Sequence, residues 1–141
     1  MGTIHERTVL LQDAERFSRA PAFNVMVKPI GSSCNLNCAY CYYLDKSRLH
    51  DGHAEVMSDA ILERVVRDAI ASNGADEITF EWHGGEPLLA GIDFFRKAVA
   101  LQARYADGRR IHNTLQTNGV LLTQQWADFL KAADFLVGIS V

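Results

Sequence analysis

At 141 residues, 48% hydrophobic and 22% charged, the chain has the size and composition of about one soluble domain. Its net charge of -3 argues against a general nucleic-acid surface. No apolar run approaches the ~20 residues needed to cross a membrane.

Residues 1–22 are polar and weakly periodic, and Pro21 marks a break, so they read as an N-terminal extension with little chemical content. They carry no charged-then-apolar leader, and an oxidising compartment is not indicated. A single unit is expected over residues 23–141. Phe23–Ile30 reads as a strand broken by Gly31–Ser33, and a cysteine-bearing loop follows. Ser58 is a helix N-cap; Ile61, Val65, Val66, Ala69 and Ile70 recur at helical spacing until Asn73-Gly74. On its wet face Glu63–Arg67 and Arg64–Asp68 are i,i+4 pairs. Glu77–His83 is a second strand closed by Gly84-Gly85, and a helix over Ile92–Tyr105 stops at Asp107-Gly108. Arg110–Asn118 is a third strand; Thr123 caps a short helix carrying Trp126, Phe129 and Leu130. Phe135–Val141 begins a fourth strand, where the chain reads as cut in mid-run. Strands alternating with helices of this length imply βαβ units and a parallel sheet.

The strands have two unlike faces. Phe23, Val25, Val27, then Ile78, Phe80, Trp82, then Val137, Ile139, Val141 form an apolar side. Opposite them lie Asn24, Met26, Lys28, then Thr79, Glu81, His83, then Gln116, Asn118, Gly138 and Ser140. Helices covering the first face and a ligand held on the second describe a wide or incomplete βα barrel, with an open sheet as the alternative. Phe94, Phe95, Trp126 and Phe129 fit core-facing helix positions.

Cys34, Cys38 and Cys41 are the only cysteines, spaced Cys-x3-Cys-x2-Cys. Three thiolates on one loop can hold three irons of a 4Fe–4S cluster and leave the fourth iron open. A zinc site completed by His50 or His53, or one disulfide with a spare thiol, are the other readings. Gly84-Gly85-Glu86-Pro87 follows the second strand and Gln116-Thr117-Asn118-Gly119 closes the third. All three segments fall at the carboxyl edge of the sheet, where α/β proteins place their sites. Adjacent glycines let backbone approach a ligand closely, and the Glu86 carboxylate suits an ammonium group. A plain turn also accounts for Gly-Gly-Glu-Pro, and more strongly for Asn118-Gly119.

Cys34-Asn-Leu-Asn-Cys38-Ala-Tyr-Cys41 resembles the CxxxCxxC motif of radical S-adenosylmethionine (radical SAM) enzymes, including the aromatic Tyr40 before the last cysteine. Gly84–Pro87 resembles that superfamily's GGEP segment. The stretch Trp82–Gly91 is similar to anaerobic sulfatase-maturating enzymes and related SPASM-type peptide maturases. The likeness covers roughly residues 23–141 and implies the N-terminal part of a partial (βα)6 TIM-like barrel. It implies that Cys34, Cys38 and Cys41 ligate a 4Fe–4S cluster, and that S-adenosylmethionine is cleaved to a 5′-deoxyadenosyl radical. Tyr40 would sit against the adenine, and Gly84, Gly85 and Glu86 would meet the methionine ammonium. Ser140 would lie near the ribose or carboxylate, with Asn118 as a further cofactor contact. The family's later arginine, its auxiliary-cluster cysteines and its aspartate base would fall past Val141. The implied function is oxidation of a protein or peptide residue, first of all a sulfatase cysteine or serine to formylglycine. A maturase forming thioether or carbon–carbon links is the second enzyme reading. An iron–sulfur electron carrier or a zinc-binding module is the reading of another class. The implied partners are a peptide or protein substrate and an electron donor such as flavodoxin or ferredoxin, in the cytoplasm, with neither nucleic acid nor membrane.

Overall fold

The computed structural model describes residues 20–41, 43 and 55–140. Most of the extension expected over residues 1–22 therefore lies outside the described residues, as do His50, His53 and Val141. Four strands, β1 (Val25–Val27), β2 (Glu77–Trp82), β3 (Arg110–Thr117) and β4 (Phe135–Ile139), form one sheet in that order. Every pair is parallel, with Val27 opposite Trp82, Trp82 opposite Leu115, and Leu115 opposite Val137. Helices α1 (Asp59–Ser72), α2 (Ile92–Tyr105) and α3 (Gln124–Ala132) connect them. This is the parallel α/β arrangement expected, the opening βα units of a partial barrel.

Each helix begins where its sequence allows. Ser58 and Thr123 cap α1 and α3, their hydroxyls accepting from the Ile61 and Trp126 backbone N–H groups. Leu62, Val66 and Ile70 make the buried stripe of α1 at successive i,i+4 positions, with Val65 and Ala69 packed beside it. Ile61, expected in that stripe, is 54% exposed, because it sits about 100° around the helix from Leu62. Arg64 and Asp68 pair as expected at 3.4 Å. Glu63 instead reaches across to α2, accepting from the Tyr105 hydroxyl at 2.5 Å and Arg104 at 3.3 Å, while Arg67 pairs with Asp68.

The helix-covered face holds the core. Ile78, Phe80, Trp82 and Leu115 are buried beneath α1 and α2 with Leu62, Val66, Phe94 and Phe95. Phe95 meets Trp82, Phe94 and Trp126 edge to face at 5.4–5.5 Å between ring centroids, the arrangement aromatic quadrupoles favour. Within this face lies a buried polar knot that the apolar pattern does not reveal. The Trp82 indole N–H and the Gln102 amide both donate to Asn113 Oδ1, at 2.8 and 2.9 Å, and Asn113 donates back to Gln102. Burial without these partners would cost each group its hydration.

The other face stays open. Met26 is 56% and Leu136 72% exposed, and Thr79, Glu81, His83, Thr114 and Gln116 are half-buried among them. β1 is shorter than the Phe23–Ile30 expected. Beyond Val27 the chain enters turns through Pro29, which has no N–H to give a ladder. A 3-10 turn, Pro87–Ala90, not expected from sequence, follows the Gly-Gly-Glu segment and is capped by Glu86.

Candidate functional site

Pairing at the end of the β1–β2 ladder passes from strands to loops. His83 N–H donates to the Val27 carbonyl, Gly85 N–H to Gly31 and Glu86 N–H to Ser33, at 2.9, 3.0 and 2.7 Å. The start of the cysteine loop is thus zipped to the turn after β2. The two glycines make this approach possible. A Cβ on Gly84 (φ +122) would stand 2.5 Å from the Gly31 carbonyl oxygen, and one on Gly85 would collide with the carbonyls of Ser32 and Ser33. Their lack of side chains serves the cysteine loop first.

Glu86 takes a place that its sequence setting did not indicate. It is fully buried, at 0% exposure. Its carboxylate accepts from Leu88 N–H at 3.0 Å, from Asn118 N–H at 2.9 Å, and from the Thr117 hydroxyl at 2.8 and 2.9 Å to its two oxygens. Thr117 Oγ1 in turn accepts from Gly119 N–H. A carboxylate so enclosed clamps the end of β3 to the turn after β2. The expectation is of a side chain offered to an ammonium group; in the structure donors of the fold occupy its oxygens, and it does not line the cavity described next.

That cavity, of about 310 Å³, is walled by Cys34, Cys38 and Cys41, by Gly84 and Gly85, and by Tyr40, Asn118 and Ser140. Eight of the nine sequence-predicted site residues therefore converge on one space of small-molecule size. Sequence reasoning had His83 on the polar strand face and Gln116 and Thr117 in the segment closing the third strand, without a role for any of them, and did not name Tyr43; these four complete the wall. The three thiols are free, Cys34 exposed and the others half-buried. Among the described residues no trio of His, Cys, Asp or Glu converges on a single-ion site. Cysteines of an iron–sulfur cluster each bind a different iron and do not need such a focus. Three unpaired, accessible sulfurs on a loop held against backbone fit that donor set.

Ser140, just beyond β4, accepts from the Gln116 amide at 2.8 Å. Gly138 lets Gln116 lie across the strand, since a Cβ there would meet Gln116 Oε1. A polar residue in register with a glycine, Gln116 opposite Gly138, was the signal available for this pair. His83 accepts the Gly84 N–H on Nδ1 at 2.7 Å. It and Gln116 also line a neighbouring cavity of about 390 Å³ on the open face, with Glu81, Thr114 and Leu136. Tyr40 is 79% exposed at the mouth.

Comparison with known proteins bears on the same residues. The radical SAM superfamily pattern matches residues 29–141. The chain is 48% identical over 118 residues to the serine-type anaerobic sulfatase-maturating enzyme of Bacteroides thetaiotaomicron, covering 83% of this chain and 28% of that protein. It is 40% identical over 125 residues to the cysteine-type enzyme of Clostridium perfringens, covering 86% and 33%. A solved structure of native anSMEcpe with bound AdoMet and Cp18Cys peptide superposes with a TM-score of 0.74 at 38% identity, over 86% of this chain and 32% of that one. The chain thus spans about a third of the length of the curated relatives it matches.

Proposed function

The chain belongs to the radical SAM superfamily, and from that premise we propose that the protein uses a 4Fe–4S cluster and S-adenosylmethionine to oxidise a protein or peptide residue. The favoured substrate is a sulfatase active-site cysteine or serine, converted to formylglycine. The observation that carries the reading is the convergence of three free thiols, the Gly84-Gly85 backbone and Ser140 on one cavity. Such a cluster supplies reductive cleavage of S-adenosylmethionine and hydrogen-atom abstraction from the substrate.

The chain's own residues do the rest. Cys34, Cys38 and Cys41 would each hold one iron. Gly84 and Gly85 offer the backbone edge against which the methionine part of the cofactor would lie, and Ser140, oriented by Gln116, the polar contact opposite. Tyr40 at the mouth would cover the adenine. The open sheet face, with its neighbouring cavity, gives a peptide a route to the same centre. Relatives named as sulfatase-maturating enzymes, and a structural neighbour with AdoMet and a peptide bound, support the substrate class. A flavodoxin or ferredoxin would deliver the electron, in the cytoplasm.

The test is anaerobic reconstitution of the full-length protein with and without Cys34→Ala, Cys38→Ala and Cys41→Ala together. The wild type should gain iron and sulfide and release 5′-deoxyadenosine under a strong reductant, while the triple variant releases none. Equal release from both would overturn the reading. With a sulfatase peptide, formylglycine is expected by mass spectrometry. Cofactor cleavage accompanied by a cross-linked peptide would shift the reaction to a thioether or carbon–carbon maturase.

A further inference from the structure

Asn118 is the residue through which β3 reaches the cysteine loop. Its backbone N–H is held by Glu86 at 2.9 Å, and its Oδ1 accepts from Val120 N–H at 3.0 Å. The second bond fixes which end of the amide faces where. Nδ2 is turned to the loop, 2.8 Å from Asn35 Oδ1 and 3.7 Å from Cys34 Sγ. The same sulfur accepts from Leu36 N–H at 3.4 Å. The turn accounts for Oδ1 alone. A serine there would serve the Val120 N–H in the same way, so the turn does not require an amide directed at a cysteine.

We propose that Asn118 is a positioning residue whose side-chain N–H···S bond to Cys34 raises the reduction potential of the cluster held through that sulfur. This rests on the reading that the three cysteines bind a cluster. One-electron reduction adds negative charge to the cluster and its thiolates. A donor aimed at the sulfur therefore stabilises the reduced form more than the oxidised one. Hydrogen bonds to ligand atoms are among the means by which a protein tunes a metal centre. The effect is on how readily the donor's electron is accepted, not on whether the cofactor binds.

The test compares reconstituted full-length wild type with Asn118→Ser, which keeps a turn acceptor but cannot reach Cys34. Asn118→Asp keeps the Val120 bond but replaces the donor with an anionic acceptor. Iron content, midpoint potential by anaerobic redox titration, and coupling of exchangeable deuterons to the reduced cluster are measured. The expected result is full iron loading in Asn118→Ser with a lower midpoint potential, a larger fall in Asn118→Asp, and a deuteron coupling present in wild type and weakened in both. Unchanged potentials in loaded variants would overturn the proposal. So would loss of the cluster from both variants, which would assign Asn118 to holding the loop. A wild type that binds no iron overturns the cluster reading as well, so the two failures are told apart.

Discussion

The cysteine loop and the turn that holds it are built on opposite terms. The loop carries the chemistry-bearing sulfurs, yet Cys34, Leu36, Asn37 and Tyr40 are exposed. The turn after β2 and the end of β3 have Gly84, Glu86, Pro87 and Thr117 buried, and of these Glu86 and Pro87 touch the candidate cavity nowhere. Burial gives the second region a fixed shape. The loop inherits its position through two backbone hydrogen bonds, from Gly85 N–H to Gly31 and from Glu86 N–H to Ser33. Placement of the cysteine loop is thus carried by a neighbouring strand end, which leaves the sulfurs accessible. The contrast can be broken from the scaffold side.

Gly85→Ala should have the largest effect. The added methyl meets the Ser32 and Ser33 carbonyls, backbone atoms that cannot rotate away. Overpacking of this kind costs about 1–3 kcal/mol, and here the strain falls on the loop entry. We expect the reconstituted variant to lose most of its iron although no cysteine is altered. Gly108→Ala is the control. It has a positive φ of 78° with open space around it, so backbone strain of about 1–2 kcal/mol should lower the melting temperature with iron unchanged. Equal iron in both variants would mean that the turn does not place the loop.

The two regions also differ in how much of them the sequence discloses. The ladder of strands, the Ser58 and Thr123 caps and the limits of α2 are local, since turn residues and hydroxyl caps act within a few positions. The Cys34–Cys41 spacing is local too, and the structure brings all three sulfurs to one cavity. What the sequence hides depends on distant partners. Glu86 beside two glycines looks like an exposed turn residue; Thr117 and Asn118, more than thirty positions on, bury it. Asn113 and Gln102 interrupt an apolar pattern, and only their pairing with each other and with Trp82 explains their burial. Ile61 and Leu62 are adjacent apolar residues, and the helix phase set against the sheet decides which is inside.

Glu86→Gln should rank next and separates scaffold from ligand contact. Glutamine keeps one acceptor oxygen and presents an NH2 where the carboxylate accepted from Leu88 or Asn118. One buried N–H then faces another donor, a loss of about 1.5–3 kcal/mol for a bond to a charged group. The loss should appear in chemical denaturation of the protein without any cofactor, as a lower midpoint at unchanged slope. A side chain that served only to bind an ammonium group would leave that curve where it is and weaken cofactor affinity alone.

Thr117→Val is the smallest change and sharpens the same contrast. Valine fills nearly the same volume, so the core around residue 117 should not collapse. The hydroxyl's two roles disappear together: its bond to the Glu86 carboxylate and its acceptance of the Gly119 N–H. The carboxylate keeps its two N–H donors, from Leu88 and Asn118, and Gly119 is partly accessible to water. The cost should therefore be about 1 kcal/mol, smaller than for Glu86→Gln. The two substitutions act on one cluster of bonds, so the double variant should lose less than the sum of the singles. Strict additivity in that double-mutant cycle would show that Thr117 and Glu86 act independently. The carboxylate would then hold the end of β3 through the Asn118 N–H and not through the Thr117 hydroxyl.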